Sequence, residues 1–230
     1  MDAGLSAKAL ALKLASIGRK PEDLDAVFLT HEHSDHVAGI GPLARKFRVP
    51  VFSTAGTFAR IKGSSGILPY WRKMGREDVV DIGDLSVHSY PTPHDAEESV
   101  GFIFRHGKRK LGHATDLGSV PDLVREKLMN SDALLVEANH DLELLENGPY
   151  PWPLKRRIKS DVGHLSNEAC ADLLSSIDHR GLQTVVLMHL SDTNNKPEYA
   201  LAAAQQALKK SPSKTVLARQ DHPTPLISIV

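Results

Sequence analysis

The chain has 230 residues, 41% of them hydrophobic, enough for one well-buried core, and residues 1–230 are expected to form a single domain. Its 28 Lys and Arg balance 28 Asp and Glu, which excludes a strongly basic nucleic-acid binder but leaves room for a local basic groove. The single cysteine, Cys170, excludes a disulfide framework and a cysteine-rich zinc site, so any metal is held by nitrogen and oxygen, and a cytoplasmic location is expected.

Residues 1–20 lack the apolar stretch of a signal peptide, and no run of eighteen apolar residues follows, so no membrane association is expected. A helix over 6–17 leads to an apolar strand over 26–30, which runs directly into His31-Glu32-His33-Ser34-Asp35-His36. A helix over 37–47 and a strand over 51–53 come next, and a strand over 85–90 ends four residues before His94. Strands over 99–105 and 109–115 flank a hairpin turn at 105–109, so part of the sheet is antiparallel; the second strand ends at Asp116. After a helix over 120–128, a strand over 133–138 contains Glu137 and precedes Asn139 and His140. Ser166 should N-cap a helix over 167–177, a strand over 183–188 ends at His189, and Pro197 opens a helix to 209. Strands over 214–220 and 226–230 close an α/β chain with mixed sheets.

Five of these strands deliver a potential ligand at their carboxyl ends, where a rigid scaffold fixes a group and a loop leaves it accessible. The densest piece is His31, His33, Asp35 and His36, four ligand-type side chains within six residues. In a turn they can diverge toward two metal ions, and imidazole with carboxylate suits Zn²⁺, Mn²⁺ or Fe²⁺. His88, His106, His113, His179 and His222 have no such partners in sequence and read as structural or surface residues.

His31-x-His33-x-Asp35-His36, followed in order by His94, Asp116 and His189, resembles the ligand series of the metallo-β-lactamase superfamily, and Asp2-Ala3-Gly4 resembles the DxG turn that precedes it. The resemblance implies an αββα sandwich with mixed sheets and two divalent ions, Zn²⁺ or Mn²⁺. By it, His31, His33 and His94 hold one ion, Asp35, His36 and His189 the other, and Asp116 bridges them. The segments DAGLS, THEHSDHVAGI, PHDAEESVGF, TDLGSV, EANHD, GPYPWPLKRRIKSDVGHLSN and HLSDTNN span nearly the whole chain and resemble the bacterial YycJ/WalJ group. That implies phosphodiester hydrolysis, as a 5′→3′ exonuclease with DNA favoured over RNA. Members of the group have about two further strands ahead of the DxG turn, so the first N-terminal strands of the fold are expected to be missing from this sequence.

Two metal ions of this kind generate hydroxide near neutral pH and clamp the attacking and leaving oxygens. Asp35 would bind one ion and orient the nucleophile, and His164, oriented by Glu137, is the candidate proton donor to the leaving oxygen. His140, on the same rim, is expected behind the ligands. Tyr150 and Trp152 interleaved with Lys155, Arg156, Arg157 and Lys159 suit the path of a nucleic-acid strand, and Asn194 is a candidate for phosphate oxygens or a turn cap. Two alternatives stand beside this one: a small-molecule ester, thioester or lactone hydrolase of the same fold, and a non-enzymatic, metal-stabilised regulatory partner in bacterial signalling or division.

Overall fold

In the computed structural model, which describes residues 1–230, the chain divides into two units: Met1–Pro91 with Ala96–Val100 and Gln220–Leu226, and Thr92–Asp95 with Gly101–Arg219 and Ile227–Val230. In the first, α1 (Ala7–Ser16) starts where Ser6 Oγ accepts from the Ala9 amide. Strands β1 (Val27–Phe28), β2 (Val51–Ser53) and β3 (Trp71–Lys73) form a parallel sheet in that order, and β4 (Val79–Ile82) pairs antiparallel with β5 (Leu85–Pro91). Phe28 lies opposite Phe52 across β1 and β2 with the rings stacked 4.8 Å apart. The core gathers Val27, Leu29, Ile40, Leu43, Val51 and Ile61.

The helix expected over 37–47 is two helices, α2 (Ser34–Val37) and α3 (Ile40–Phe47). Pro42 has no amide to bond back across a continuous helix, so the chain restarts with Pro42 in its first turn, where no such bond is needed. The break also lets the Gly39 amide donate to the Ala3 carbonyl at 2.7 Å. Helix α4 (Ala55–Ile61), capped by Thr54, and strands β3 and β4 were not read from the sequence. Both strands are short and largely exposed, so they have no apolar alternation to betray them.

The second unit contains β6 (Val100–His106) from Gly101 onward, β7 (Arg109–Ala114), α5 (Asp122–Leu128), β8 (Ala133–Glu137), α6 (Leu142–Asn147), α7 (Trp152–Ile158), α8 (Asn167–Ile177), β9 (Thr184–Met188), α9 (Pro197–Ala207) and β10 (Lys214–Leu217). Its strands lie in the order β10-β9-β8-β7-β6, with the β6–β7 hairpin antiparallel, as expected, and the rest parallel. The apolar run of β8 sits between two parallel neighbours. Helix α8 turns Cys170, Leu173, Leu174 and Ile177 inward at helical spacing, capped by Ser166 as its sequence indicates. No strand forms over 226–230. Pro223 and Pro225 withhold amides just before it, and Leu226 and Val230 are more than 70% exposed, so burial does not repay ordering there. No helix of the chain is long and apolar enough to cross a membrane.

The parallel strands decide where function can collect. Ala114 pairs with Val136, and Glu137 with Met188, so β7, β8 and β9 end level with one another. Asp116, Glu137 and His189 therefore emerge from adjacent strands at the same carboxyl edge, the usual location of ligand sites in such sheets.

Candidate metal centre

The candidate ligands fall in both units. In the first, His31, His33, Asp35 and His36 follow β1 and occupy the entry to α2. His31 is fully buried with Nδ1 3.0 Å from Thr30 Oγ1, and its ring lies 4.5 Å from that of His33 and 4.2 Å from that of His36. The turn is held from behind by Asp2. One Asp2 oxygen accepts from the Thr30 amide at 2.8 Å, and the other is 3.0 Å from the Thr30 hydroxyl and 2.9 Å from His36 Nδ1. Burial alone would raise the Asp2 carboxyl, but the hydrogen bond and charge of His36 and the Thr30 amide outweigh it and hold its pKa at about 2. Asp2 thus occupies Nδ1 of His36 and orients Nε2 for a ligand, the usual arrangement behind a metal-binding imidazole.

The DxG resemblance acquires a physical reason here. Ala3 N donates to His36 O at 2.6 Å, and a Cβ at Gly4 would stand 1.5 Å from the Asp35 carbonyl oxygen. Only glycine lets this segment lie against the ligand turn. Asp35 itself is the open member, its side chain 64% exposed.

In the second unit, His94 and His189 approach one carboxylate oxygen of Asp116. Asp116 Oδ1 is 3.7 Å from His94 Nε2 and 3.6 Å from His189 Nε2. These spacings are too long for hydrogen bonds and close to the roughly 3.3 Å that two donors keep on one tetrahedral Zn²⁺. The nitrogens are pre-aimed: His94 Nδ1 is 3.1 Å from Gly163 O, and His189 Nδ1 is 3.0 Å from Glu137 Oε1. The donor chemistry therefore fits a divalent cation.

Glu137 is wholly buried and serves two histidines with one oxygen, its Oε1 lying 2.7 Å from His164 Nδ1 as well. Its Oε2 accepts from the amides of Leu117 at 2.8 Å and Leu165 at 3.4 Å. Burial would raise this carboxyl, but the His164 and His189 hydrogen bonds and charges win, holding it well below the usual carboxylate range. With its oxygens so engaged, Glu137 is an orienting group even though its carboxylate, Asp116, His164 and His189 bring ligand-type atoms within 4.8 Å of one another. Burial would lower the His164 imidazole, and the hydrogen bond and charge of Glu137 with the charge of Asp116 raise it instead.

Backbone geometry points to the same residues. Asp2, Asp116 and His189 are three of the five non-glycine residues at positive φ, at 47°, 56° and 58°. Such conformations persist where the surroundings over-determine them, most often at functional sites.

The remaining expected site residues scatter in their roles. His140 is 1% exposed, burial lowers its pKa to about 4, and its backbone joins Ser166 in an isolated bridge. Arg156 is exposed, Arg157 pairs with Asp95, and Lys159 pairs with Glu146 at 2.8 Å. Lys155 differs from expectation: it is buried and its ammonium donates to the Glu146 carbonyl near the end of α6, so it holds two helices together and does not face a substrate. Asn194 is 1% exposed with its Oδ1 against Gly148, while its neighbour Asn195 ties Asn167 to the carbonyls of Ala138 and Asn139. Asp2 and Asn139 were not placed in the site by sequence. Asn139 Nδ2 donates to His189 O at 2.9 Å, a contact with no sequence signal, whereas Asp2 was marked only by the DxG pattern.

Comparison with known proteins bears on this arrangement. The model of the Beta-lactamase superfamily domain matches residues 1–190. The chain is 37% identical over 212 residues to the exodeoxyribonuclease YycJ of Bacillus anthracis, covering 91% of this chain and 80% of that one. It is 40% identical over 206 residues to the exodeoxyribonuclease WalJ of Streptococcus pneumoniae, covering 87% and 76%. The metallo-β-lactamase fold protein YhfI of Bacillus subtilis superposes with a TM-score of 0.66 at 17% identity, over 86% of this chain and 77% of that one.

Proposed function

The chain belongs to the β-lactamase superfamily and has the metallo-β-lactamase fold, and from that premise we propose that residues 1–230 act as one metal-dependent phosphodiesterase domain, an exonuclease on DNA in the cytoplasm. By the order of the motif, His31, His33 and His94 would hold one divalent ion, Asp35, His36 and His189 a second, and Asp116 would bridge them, with Zn²⁺ or Mn²⁺ suited to these donors. Such ions, when bound, supply an activated water and charge stabilisation for a phosphodiester.

The observation that carries the reading is the double grip of Glu137. By engaging Nδ1 of both His164 and His189, it ties a proton-bearing imidazole to a ligand imidazole on one rigid carboxylate. His164 Nε2 is then the atom that gives a proton to the departing oxygen, and Glu137, accepting from Nδ1–H, stabilises the imidazolium from which that proton comes. Ester bonds with good leaving groups need no such donor; a sugar oxygen does. The two exodeoxyribonuclease relatives support the substrate class, as does Arg156, exposed on α7, whose cation suits a phosphate oxygen.

The test is cleavage of end-labelled DNA and RNA with added Mn²⁺ or Zn²⁺, alongside a thioester substrate. We expect mononucleotide release from DNA that chelation abolishes, with Asp35→Ala and His164→Ala reduced by at least about 10²-fold. Absence of metal-dependent DNA cleavage, or faster turnover of the thioester, overturns the assignment.

A further inference from the structure

The second unit contains a cavity of about 400 Å³ with His164 in its lining. That volume lies near the lower end of the roughly 300–1,000 Å³ typical of small-ligand sites. Two chemically different segments supply most of its lining, beside Asp95, Asn139 and Gly163. Tyr150, Leu154 and Ile158 give an aromatic and aliphatic surface, the last two one turn apart on α7. Ser191 and Thr193, in the turn after His189, bring hydroxyls.

The hydroxyl side is ordered for donation. Ser191 Oγ accepts from the amides of Thr193 at 3.3 Å and Asn194 at 3.0 Å, and Ser191 N donates to Asn139 O at 2.8 Å. With its lone pairs so used, the Ser191 hydroxyl keeps its proton to donate to a ligand oxygen. Arg157 also lines the cavity, but in an ion pair with Asp95, so its charge there is largely neutralised. A cavity with one flat aromatic face, aliphatic surface, hydroxyl donors, the Asp192 carboxylate and no uncompensated cation is poorly built for inorganic phosphate alone. It matches a nucleoside: a flat base at one side and an oxygen-rich sugar at the other.

We propose that this cavity receives the nucleoside at a strand end, its base against Tyr150 and Leu154, so that cleavage beside His164 removes one terminal nucleotide at a time. The inference rests on the nuclease reading for its substrate and adds the residues that make the enzyme end-selective. Tyr150 is a specificity residue here, and it is half-exposed, so its replacement should leave the fold intact.

Binding of dAMP and of 2-deoxyribose 5-phosphate to the metal-loaded protein is measured by calorimetric titration, because the two probes share the phosphate and differ by the base. Wild type is expected to prefer dAMP by about tenfold or more, the scale of one base–aromatic stack. Tyr150→Ala should bring the preference within about twofold, and Tyr150→Phe should retain it. A closed circular single strand should survive conditions that degrade its linear form. Equal binding of the two probes by wild type, an unchanged preference in Tyr150→Ala, or cleavage of the circle at the linear rate each overturns the proposal. A protein that prefers dAMP in this way yet cleaves no DNA leaves the cavity assignment standing and overturns the nuclease reading.

Discussion

The two groups of candidate ligands are built by opposite means. In the first unit four of them stand within six residues, after a strand with only two residues in its ladder, and their shape is imposed from behind by Asp2 and Gly4. In the second unit Asp116 and His189 are far apart in the chain but are delivered by β7 and β9, in register on either side of β8, whose buried Glu137 carboxylate fixes His189, while His94 is held by the Gly163 carbonyl. Contiguity makes the first group easy to see in a sequence and dependent on local fit. Dispersion makes the second group legible only through the strands that carry it and lets the sheet support it. The prediction is that the two should fail differently when their supports are removed.

The largest effect is expected at Glu137. Glu137→Ala leaves two imidazoles and two amides without their buried acceptor, a class of change that costs about 3–5 kcal/mol. For a chain of this size that lowers Tm by roughly 10 °C or more, and DNA cleavage should vanish with it. Thermal melting and activity measured together check this. Gly4→Ala should separate the two quantities. Its methyl group would fall 1.5 Å from the Asp35 carbonyl oxygen, so the ligand turn must shift by an ångström or more, at about 1–3 kcal/mol. A displacement of that size costs about 10²-fold in rate, while Tm drops by only a few degrees. If Gly4→Ala melts lower than Glu137→Ala, the contrast between locally fitted and sheet-supported ligands is wrong.

The same contrast explains what could be read in advance. The His31–His36 cluster was legible because its chemistry is contiguous, strands β8 and β9 because their apolar runs are unbroken to within a residue of their ends, and β7 because a hairpin turn precedes it. The pairing order that brings Asp116, Glu137 and His189 to one edge was not, since register depends on which strands meet in space. Nor could the positive φ of Asp116 and His189 be inferred, because neither is a glycine. Residues 150–159 illustrate the reverse error. Their cations looked like one basic face, yet Lys155 points inward, because the first turn after Pro151 places it against the end of α6, where a carbonyl needs a donor. Charge counted along a sequence says nothing about which charges the fold consumes.

The smallest effect on activity should lie at the opposite end of β7, and it tests whether the sheet's carboxyl edge alone carries function. Lys110, near the start of that strand, is buried with its ammonium donating to the Met129 carbonyl. Burial lowers its pKa to about 8, with help from Arg105 and Lys127 and against the pull of Asp132. In the unfolded chain a lysine titrates near 10.4. Between about pH 8 and 10 the unfolded state therefore binds more protons than the folded one, and this residue's contribution to stability rises with pH. Below pH 8 the folded state bears the full cost of a charged, desolvated amine. Lys110→Met removes that titration, so the stability of wild type relative to the variant should climb by up to about 1.4 kcal/mol per pH unit across the window, while DNA cleavage stays unchanged. Urea unfolding of both proteins at pH 7, 8, 9 and 10 measures the difference. A gap that stays flat with pH would show that the amine is not held as described, and a loss of cleavage would show that the foot of β7 is coupled to the ligands at its head.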